Sequence, residues 1–152
     1  GLESSLQASP LQGLDISAAL GLLNAKYLDA DIGGRDASGQ RLPNSPGLTA
    51  NIDASYTREV GPTTATLSVS ASYQSSETLD RFEVSPGQTT AIREDGYWLV
   101  DLTLTLAAFD DRLELSLTAK NLFDAQPLTS VVPLPDFGFH EYTYGPPRRL
   151  GL

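Results

Sequence analysis

His140 is the only histidine in the 152 residues, and Phe137, Phe139, Tyr142 and Tyr144 surround it in sequence. An imidazole among aromatic rings can grip an aromatic or iron-chelating ligand, although such rings also pack a loop onto its neighbours. His140, Tyr142, Tyr144 and Phe139 are therefore ligand-contact candidates, and Arg35, in an earlier polar connection, joins them. No Ser or Asp stands at a spacing that would make a triad with His140, so no catalytic residue is assigned and an enzyme is not expected. Asp29, Asp31 and Asp36 around Gly33-Gly34 have the acid density of a calcium loop but lack its twelve-residue pattern and closing Glu. Cysteine is absent, which excludes disulfides and thiolate metal sites. No metal site and no cofactor is expected.

The formal charge of -9 and pI near 4.4 exclude a nucleic-acid binder, which needs basic patches against phosphate. The acids gather between the apolar stretches, at Asp29, Asp31, Asp36, Glu77, Asp80, Glu94 and Glu141 among others, as expected of solvated loops. No apolar run approaches the length of a membrane-spanning helix. A mean hydropathy of -0.16 is nevertheless compatible with a membrane home, because a spanning strand needs only about 9 to 11 residues, half of them polar.

The elements that must position these residues are strands. Leu48, Ala50, Ile52, Ala54 and Tyr56 alternate with Thr49, Asn51, Asp53, Ser55 and Thr57; Ala65, Leu67, Val69, Ala71 and Tyr73 alternate with Thr66, Ser68, Ser70, Ser72 and Gln74. Successive strand side chains point to opposite faces, so each run has one apolar and one hydroxyl-rich side. The same period marks a first strand through Leu2, Leu6 and Ala8 up to Ser9-Pro10, and a second through Leu14, Ile16, Ala18, Leu20 and Leu22 that slips near Leu23 and carries on at Ala25 and Tyr27. It also marks Trp98 to Ala108, Leu113 to Lys120, and a short last strand from Arg148 to Leu152. Expected turns are Leu11-Gln12-Gly13, Glu59-Val60-Gly61-Pro62 and Phe109-Asp110-Asp111-Arg112. The long connections run from about Leu28 to Pro46, Ser75 to Gly96 and Asp124 to Gly145.

Connections that go short, long, short, long, with a wet face of Ser, Thr, Asn and Asp and with Tyr56 and Tyr73 at the ends of apolar runs, predict an all-β, antiparallel transmembrane β-barrel segment. Seven strands cannot close a bacterial single-chain barrel, which uses an even number from 8 upward. The expectation is a segment of something longer that needs neighbouring strands.

Three segments carry a family resemblance. Lys120-Asn121-Leu122-Phe123-Asp124 is similar to the Asn-Leu-(Phe/Thr)-Asp signature that closes the penultimate strand of TonB-dependent outer-membrane receptors. Tyr144-Gly145-Pro146-Pro147-Arg148-Arg149-Leu150-Gly151-Leu152 resembles the Gly-x-Pro-Arg-x-x-Gly start of their last strand, and Arg41-Leu42-Pro43-Asn44-Ser45-Pro46 resembles their Leu-Pro-Asn-x-Pro segment. The resemblance implies that residues 1–152 are the C-terminal part of such a barrel, with the plug domain and N-terminal strands outside them. It further implies a place in the bacterial outer membrane and the role of barrel wall and extracellular loops in active uptake of siderophore, cobalamin or similar scarce nutrients. The implied partners are the lipid bilayer, the rest of the barrel and its plug, the TonB system through that plug, and a small-molecule ligand such as a metal chelate.

Within the motifs, Asn121, Leu122, Phe123, Asp124, Gly145, Pro147, Arg148 and Gly151 are expected to be structural. Asn and Asp can bond backbone groups left unpaired where the strand enters its loop. Arg148 and Arg149 are expected at an interface or facing the lumen, because Arg on the lipid face near the midplane costs about 2 to 4 kcal/mol. The rival reading is a soluble β-sandwich or lipocalin-like ligand-binding module, whose core would take up the apolar faces.

Overall fold

The computed structural model describes residues 1–32, 36–85, 88–110, 112–134 and 137–152, with backbone alone at 82–85 and 88–90. Eleven strands follow one another: β1 (Leu2–Leu11), β2 (Leu14–Leu22), β3 (Leu48–Val60), β4 (Thr63–Gln74), β5 (Glu77–Ser85), β6 (Gln88–Glu94), β7 (Tyr97–Ala108), β8 (Leu113–Lys120), β9 (Leu128–Leu134), β10 (Phe139–Tyr144) and β11 (Arg149–Gly151). Seven of them form one sheet in the order β1-β2-β3-β4-β7-β8-β11, while β5–β6 and β9–β10 make two separate hairpins. Every pairing is antiparallel. Strands β1 and β11 are the two edges of the large sheet, which is therefore open.

The register keeps the two faces chemically pure across the whole sheet. One row runs Leu6–Ala18–Ile52–Ala71–Val100, and the adjacent row, on the opposite face, runs Gln7–Ser17–Asp53–Ser70–Asp101. A slip of one residue between any two strands would mix them, because the side-chain period is two. On the polar face Thr57 and Thr66 share a hydrogen bond of 3.0 Å, as do Thr105 and Ser116. Lys120 Nζ donates to Asp101 Oδ2 at 2.9 Å.

The apolar face has nothing packed on it. Leu2, Leu6, Leu20, Ile52, Leu67, Leu115 and Leu117 are all exposed, Leu6 by 62%. Among the described residues the buried apolar side chains are Ala37, Leu79 and Leu128, all of them in the long connections. A soluble sandwich would bury these leucine rows, since each such side chain gains about 1.5 to 3 kcal/mol on leaving water. Lipid is the solvent that matches this face.

Aromatic residues bound the apolar band. Tyr73 and Trp98 face each other across β4 and β7 with ring centroids 5.0 Å apart, and Phe109, 69% exposed, sits in the opposite turn. From Trp98 to Phe109 the strand covers roughly 36 Å at about 3.3 Å per residue. A tilt of about 40° reduces that to roughly 28 Å of height, which matches an apolar band of about 25 Å with aromatic girdles.

The first two short connections are tighter than the sequence reading placed them, whereas the third lies between Ala108 and Leu113 as read. Strand β1 runs on to Leu11 past a register shift between Ala8 and Leu11, an irregularity that accommodates Pro10. Strand β3 runs through Val60, which pairs with Thr63, so that only Gly61 and Pro62 turn. At Gly13 a Cβ would lie 2.1 Å from Thr57 O, and φ is +81°, so no other residue fits where Thr57 N bonds Gly13 O at 2.7 Å. Phe109 and Asp110, which open the connection between Ala108 and Leu113, both have positive φ, 56° and 52°, a left-handed conformation that Asp tolerates better than most residues.

The facing of β7 is testable in the full-length protein. Leu104→Arg, at mid-height on the lipid side, should cost about 2 to 4 kcal/mol and deplete the heat-modifiable folded band on unheated gels. Thr103→Arg, on the polar side, should leave that band close to wild type. Equal losses from both would contradict the assigned faces.

Candidate functional site

All three long connections leave the same end of the sheet, because each joins the end of one strand to the start of an antiparallel neighbour. The bases of the first two are tied together. Leu48 N donates to Ser75 Oγ at 3.0 Å and Ser75 N to Leu48 O at 2.9 Å, linking the first and second connections. Higher up, Asn44 N donates to Thr78 O at 2.9 Å, and Arg81 Nη1 donates to Gln40 Oε1. Strand β5 in turn touches β9 of the third connection.

The first connection continues the β2 ladder in its own way. Ala25 and Tyr27 do carry on the pairing, but against residues 40 and 42 of the same loop: Tyr27 N bonds Gln40 O at 3.0 Å and Leu42 N bonds Ala25 O at 3.2 Å. Ser38 N donates to Asp36 Oδ1 at 2.8 Å; hydrogen bonds from the Ser38 side chain and backbone hold the Asp36 carboxyl below its usual range. Among the described residues no group of three acids or histidines is arranged to hold a metal ion. Arg35, with Gly33-Gly34, lies outside the described residues.

The third connection carries the other ligand-contact candidates on one strand. Strand β10 holds Phe139, His140, Tyr142 and Tyr144, but period two divides them. His140, Tyr142 and Tyr144 share a face with Pro133 and Val131 of β9, and the His140 and Tyr142 rings meet nearly edge-on at 6.4 Å. Phe139 takes the other face, opposite Leu134 and 6.2 Å from the ring of Phe137. Phe139, Tyr142 and Tyr144 are about half exposed.

The base of this connection is locked by Asn121, the buried polar residue among those described. Its backbone N donates to Asp101 Oδ1 at 2.8 Å, and its Nδ2 donates to Ala125 O at 2.7 Å and to Pro146 O at 2.9 Å. Its Oδ1 accepts from Ala125 N at 3.0 Å. Asp124 Oδ1 accepts from Arg148 N at 2.8 Å, and Leu122 N bonds Val100 O at 2.7 Å. Asn121 and Asp124 also take left-handed φ values of 50° and 56°, which Asn and Asp tolerate better than most residues. One four-residue turn thus joins β7, β8 and the entry to β11.

Around that turn, Phe123 is exposed and Gly145 N bonds Pro127 O at 2.8 Å, where a Cβ would press on the Pro127 ring at 3.1 Å. Pro147 lines a small cavity with Asp101, Lys120 and Arg149. Arg149 pairs with Lys120, which puts it on the polar face, and Gly151 pairs with Thr118, whose Oγ1 would stand 2.7 Å from an added Cβ.

The polar face itself holds a shallow cavity of about 460 Å³ running from Gln7 and Ser17 past Asp53 and Ser70 to Asp101 and Lys120. Two further cavities lie between the first connection and β5–β6, and they share Arg41 and Arg81. Neither was read from the sequence, since Arg41, Arg81 and Arg93 stand in separate stretches that only the fold brings together. Beside them, burial pushes the Glu77 carboxyl up from its usual value; the hydrogen bond from Gln74 opposes this and the nearby Glu94 charge adds to it.

An open antiparallel sheet with a lipid-matched face, a polar face and its long loops at one rim defines a wall segment of an outer-membrane β-barrel. The match of residues 1–122 to the family described as TonB dependent receptor-like, beta-barrel makes the family membership plain: the chain belongs to the TonB-dependent receptors. It is accordingly a bacterial outer-membrane protein embedded in the bilayer, from a family that transports nutrients. No solved structure matches the chain.

The Asn121 turn should govern stability more than its solvent-facing neighbour. Asn121→Gly keeps the left-handed φ accessible yet removes three side-chain hydrogen bonds in a buried place, and should cost about 1 to 3 kcal/mol. Asp124→Gly, at an exposed position, should cost less. The temperature at which the folded gel band of the full-length protein converts to the unfolded one checks the order, and a larger loss at Asp124 would contradict it.

Proposed function

We propose that residues 1–152 are the C-terminal part of the barrel of an active transporter that takes up a siderophore, cobalamin or a similarly scarce nutrient, energised through TonB. The observation that supports this best is the joint presence of an unpartnered apolar face and three long connections at one rim, the first two of them hydrogen-bonded to each other. A wall built this way can hold loops over a lumen while remaining rigid in lipid, and its hydroxyl- and Asp-lined inner face suits a hydrated plug better than a packed apolar core. Further strands pair with the β1 and β11 edges, because an unpaired edge in hydrocarbon leaves backbone groups that cost several kcal/mol each.

In this reading the plug is encoded outside these residues and engages TonB, while the wall and loops admit and orient the ligand. His140, Tyr142, Tyr144 and Phe139 offer ring faces and polar tips at the vestibule, and Arg35 adds a cation from the first connection. Rings of this kind bind a flat or chelated ligand at little entropic cost, having few torsions to fix.

Uptake assays in cells deleted for the full-length receptor test this directly. Accumulation of one labelled ferric siderophore or of cobalamin should fall to background, and in the parent strain a protonophore should stop it. Unchanged uptake of every such nutrient, or uptake indifferent to the protonophore, would contradict the reading.

A further inference from the structure

One charge stands on the side of the sheet that meets lipid. The register runs a row Arg58–Ala65–Leu106–Leu115 across β3, β4, β7 and β8, so Arg58 takes the same side as Ile52, Leu67, Leu104 and Leu117. Every other described position on that side of the seven strands is uncharged. Arg58 is exposed, and no hydrogen bond or ion pair joins its side chain to a described residue. Its chain neighbour Glu59 takes the opposite face, against Thr64, and so does not neutralise it.

The position of Arg58 along its strand sets what it can meet. It lies two residues before the end of β3, where the chain turns through Gly61 and Pro62. Two residues cover roughly 7 Å of strand, or about 5 Å of height at a tilt of about 40°. Short turns mark the periplasmic end of such a barrel, and an Arg facing lipid is tolerated near that boundary but not at the midplane. From there a long side chain carries its guanidinium out to the headgroups of the periplasmic leaflet. The surroundings leave it room: Ala65 beside it is small, and on the other flank the β2 ladder stops at Leu14, opposite Tyr56. Tyr56, 38% exposed, lies on the same side two residues deeper, and Val60 lies nearer the water.

We propose that Arg58 is the headgroup site for an anionic glycerophospholipid of the periplasmic leaflet, its guanidinium bonding the phosphodiester oxygens while the glycerol and an acyl chain lie against Ala65 and Tyr56. The planar fork of guanidinium donors matches two phosphate oxygens at once. With no carboxylate on that face to compete, the positive charge favours a lipid of net negative charge over a zwitterionic one. The Tyr56 ring offers an apolar body to the chain and a polar tip to the interface. The site is on the outside of the wall, so it is independent of which nutrient the lumen admits.

The test uses the full-length protein in nanodiscs of phosphatidylcholine, doped with phosphatidylglycerol whose acyl chain carries a photoactivatable diazirine or with phosphatidylcholine carrying the same chain. After illumination, mass spectrometry reads how much of the peptide spanning residues 56–65 is labelled. The phosphatidylglycerol probe should label it about fivefold more than the phosphatidylcholine probe, the preference expected of one basic residue at a membrane surface. Arg58→Gln should bring the two probes to parity, and Arg58→Lys should keep most of the preference. Thr63→Glu, diagonal to Arg58 on the same side, leaves the Arg in place but supplies a competing carboxylate within reach. It should also remove the preference, and it decides the matter if the heat-modifiable gel band shows Arg58→Gln to be unfolded. Equal labelling by both probes in the wild type, or a preference that survives these two substitutions, would overturn the proposal.

Discussion

In hydrocarbon there is no water to satisfy a backbone N–H or C=O, so a strand there must pair on both sides and in one register. That requirement organises this chain. From β1 to β8 the ladder runs without a crossover, and because side chains alternate, one register decision per strand pair fixes which residues meet lipid and which meet water. The two faces need no packing against each other, which is why a domain of this size is stable in place with hardly any buried apolar side chains in its sheet.

The rim is where the constraint relaxes and where function is built. Once a strand leaves the apolar band, its backbone can be satisfied by water, by loop bonds or by short hairpins. The chain uses the last two: loop bonds in an irregular first connection that pairs with itself, then the hairpins β5–β6 and β9–β10. Asn121 makes the change of regime abrupt at one point, capturing the loop carbonyls of Ala125 and Pro146 while Asp101 holds its own N–H. Bonds such as Asn44 to Thr78 and Arg81 to Gln40 then assemble the loops above into one body with cavities between them.

Legibility in the sequence followed the same boundary. The seven strands of the sheet were readable because lipid and lumen demand different chemistry at alternate positions, so Leu67 and Ser68 or Leu104 and Thr105 announce their faces. The two hairpins were not, since water on both sides imposes no alternation. In β5–β6 register shifts at Thr78/Asp80 and Glu83/Ser85 break the period, and in β9 Pro133 argues against a strand. The four aromatic and imidazole candidates were rightly seen as neighbours but not as divided between the two sides of β10. The Asn-Leu-Phe-Asp segment was legible as a motif, whereas the partners of Asn121 lie up to 25 positions away. The cavities that share Arg41 and Arg81 had no sequence signal at all, because those two residues come from two connections joined only by the fold.

The facing of the sheet is the central claim, and within these 152 residues no native cysteine competes with an introduced one. Single cysteines at residues 102 to 107 of the full-length protein in its membrane can carry spin labels, whose collision rates with oxygen and with a water-soluble nickel complex are read position by position. The account requires oxygen access to peak at 102, 104 and 106 and nickel access at 103, 105 and 107. Uniform water access along the strand, or the opposite phase, would contradict it.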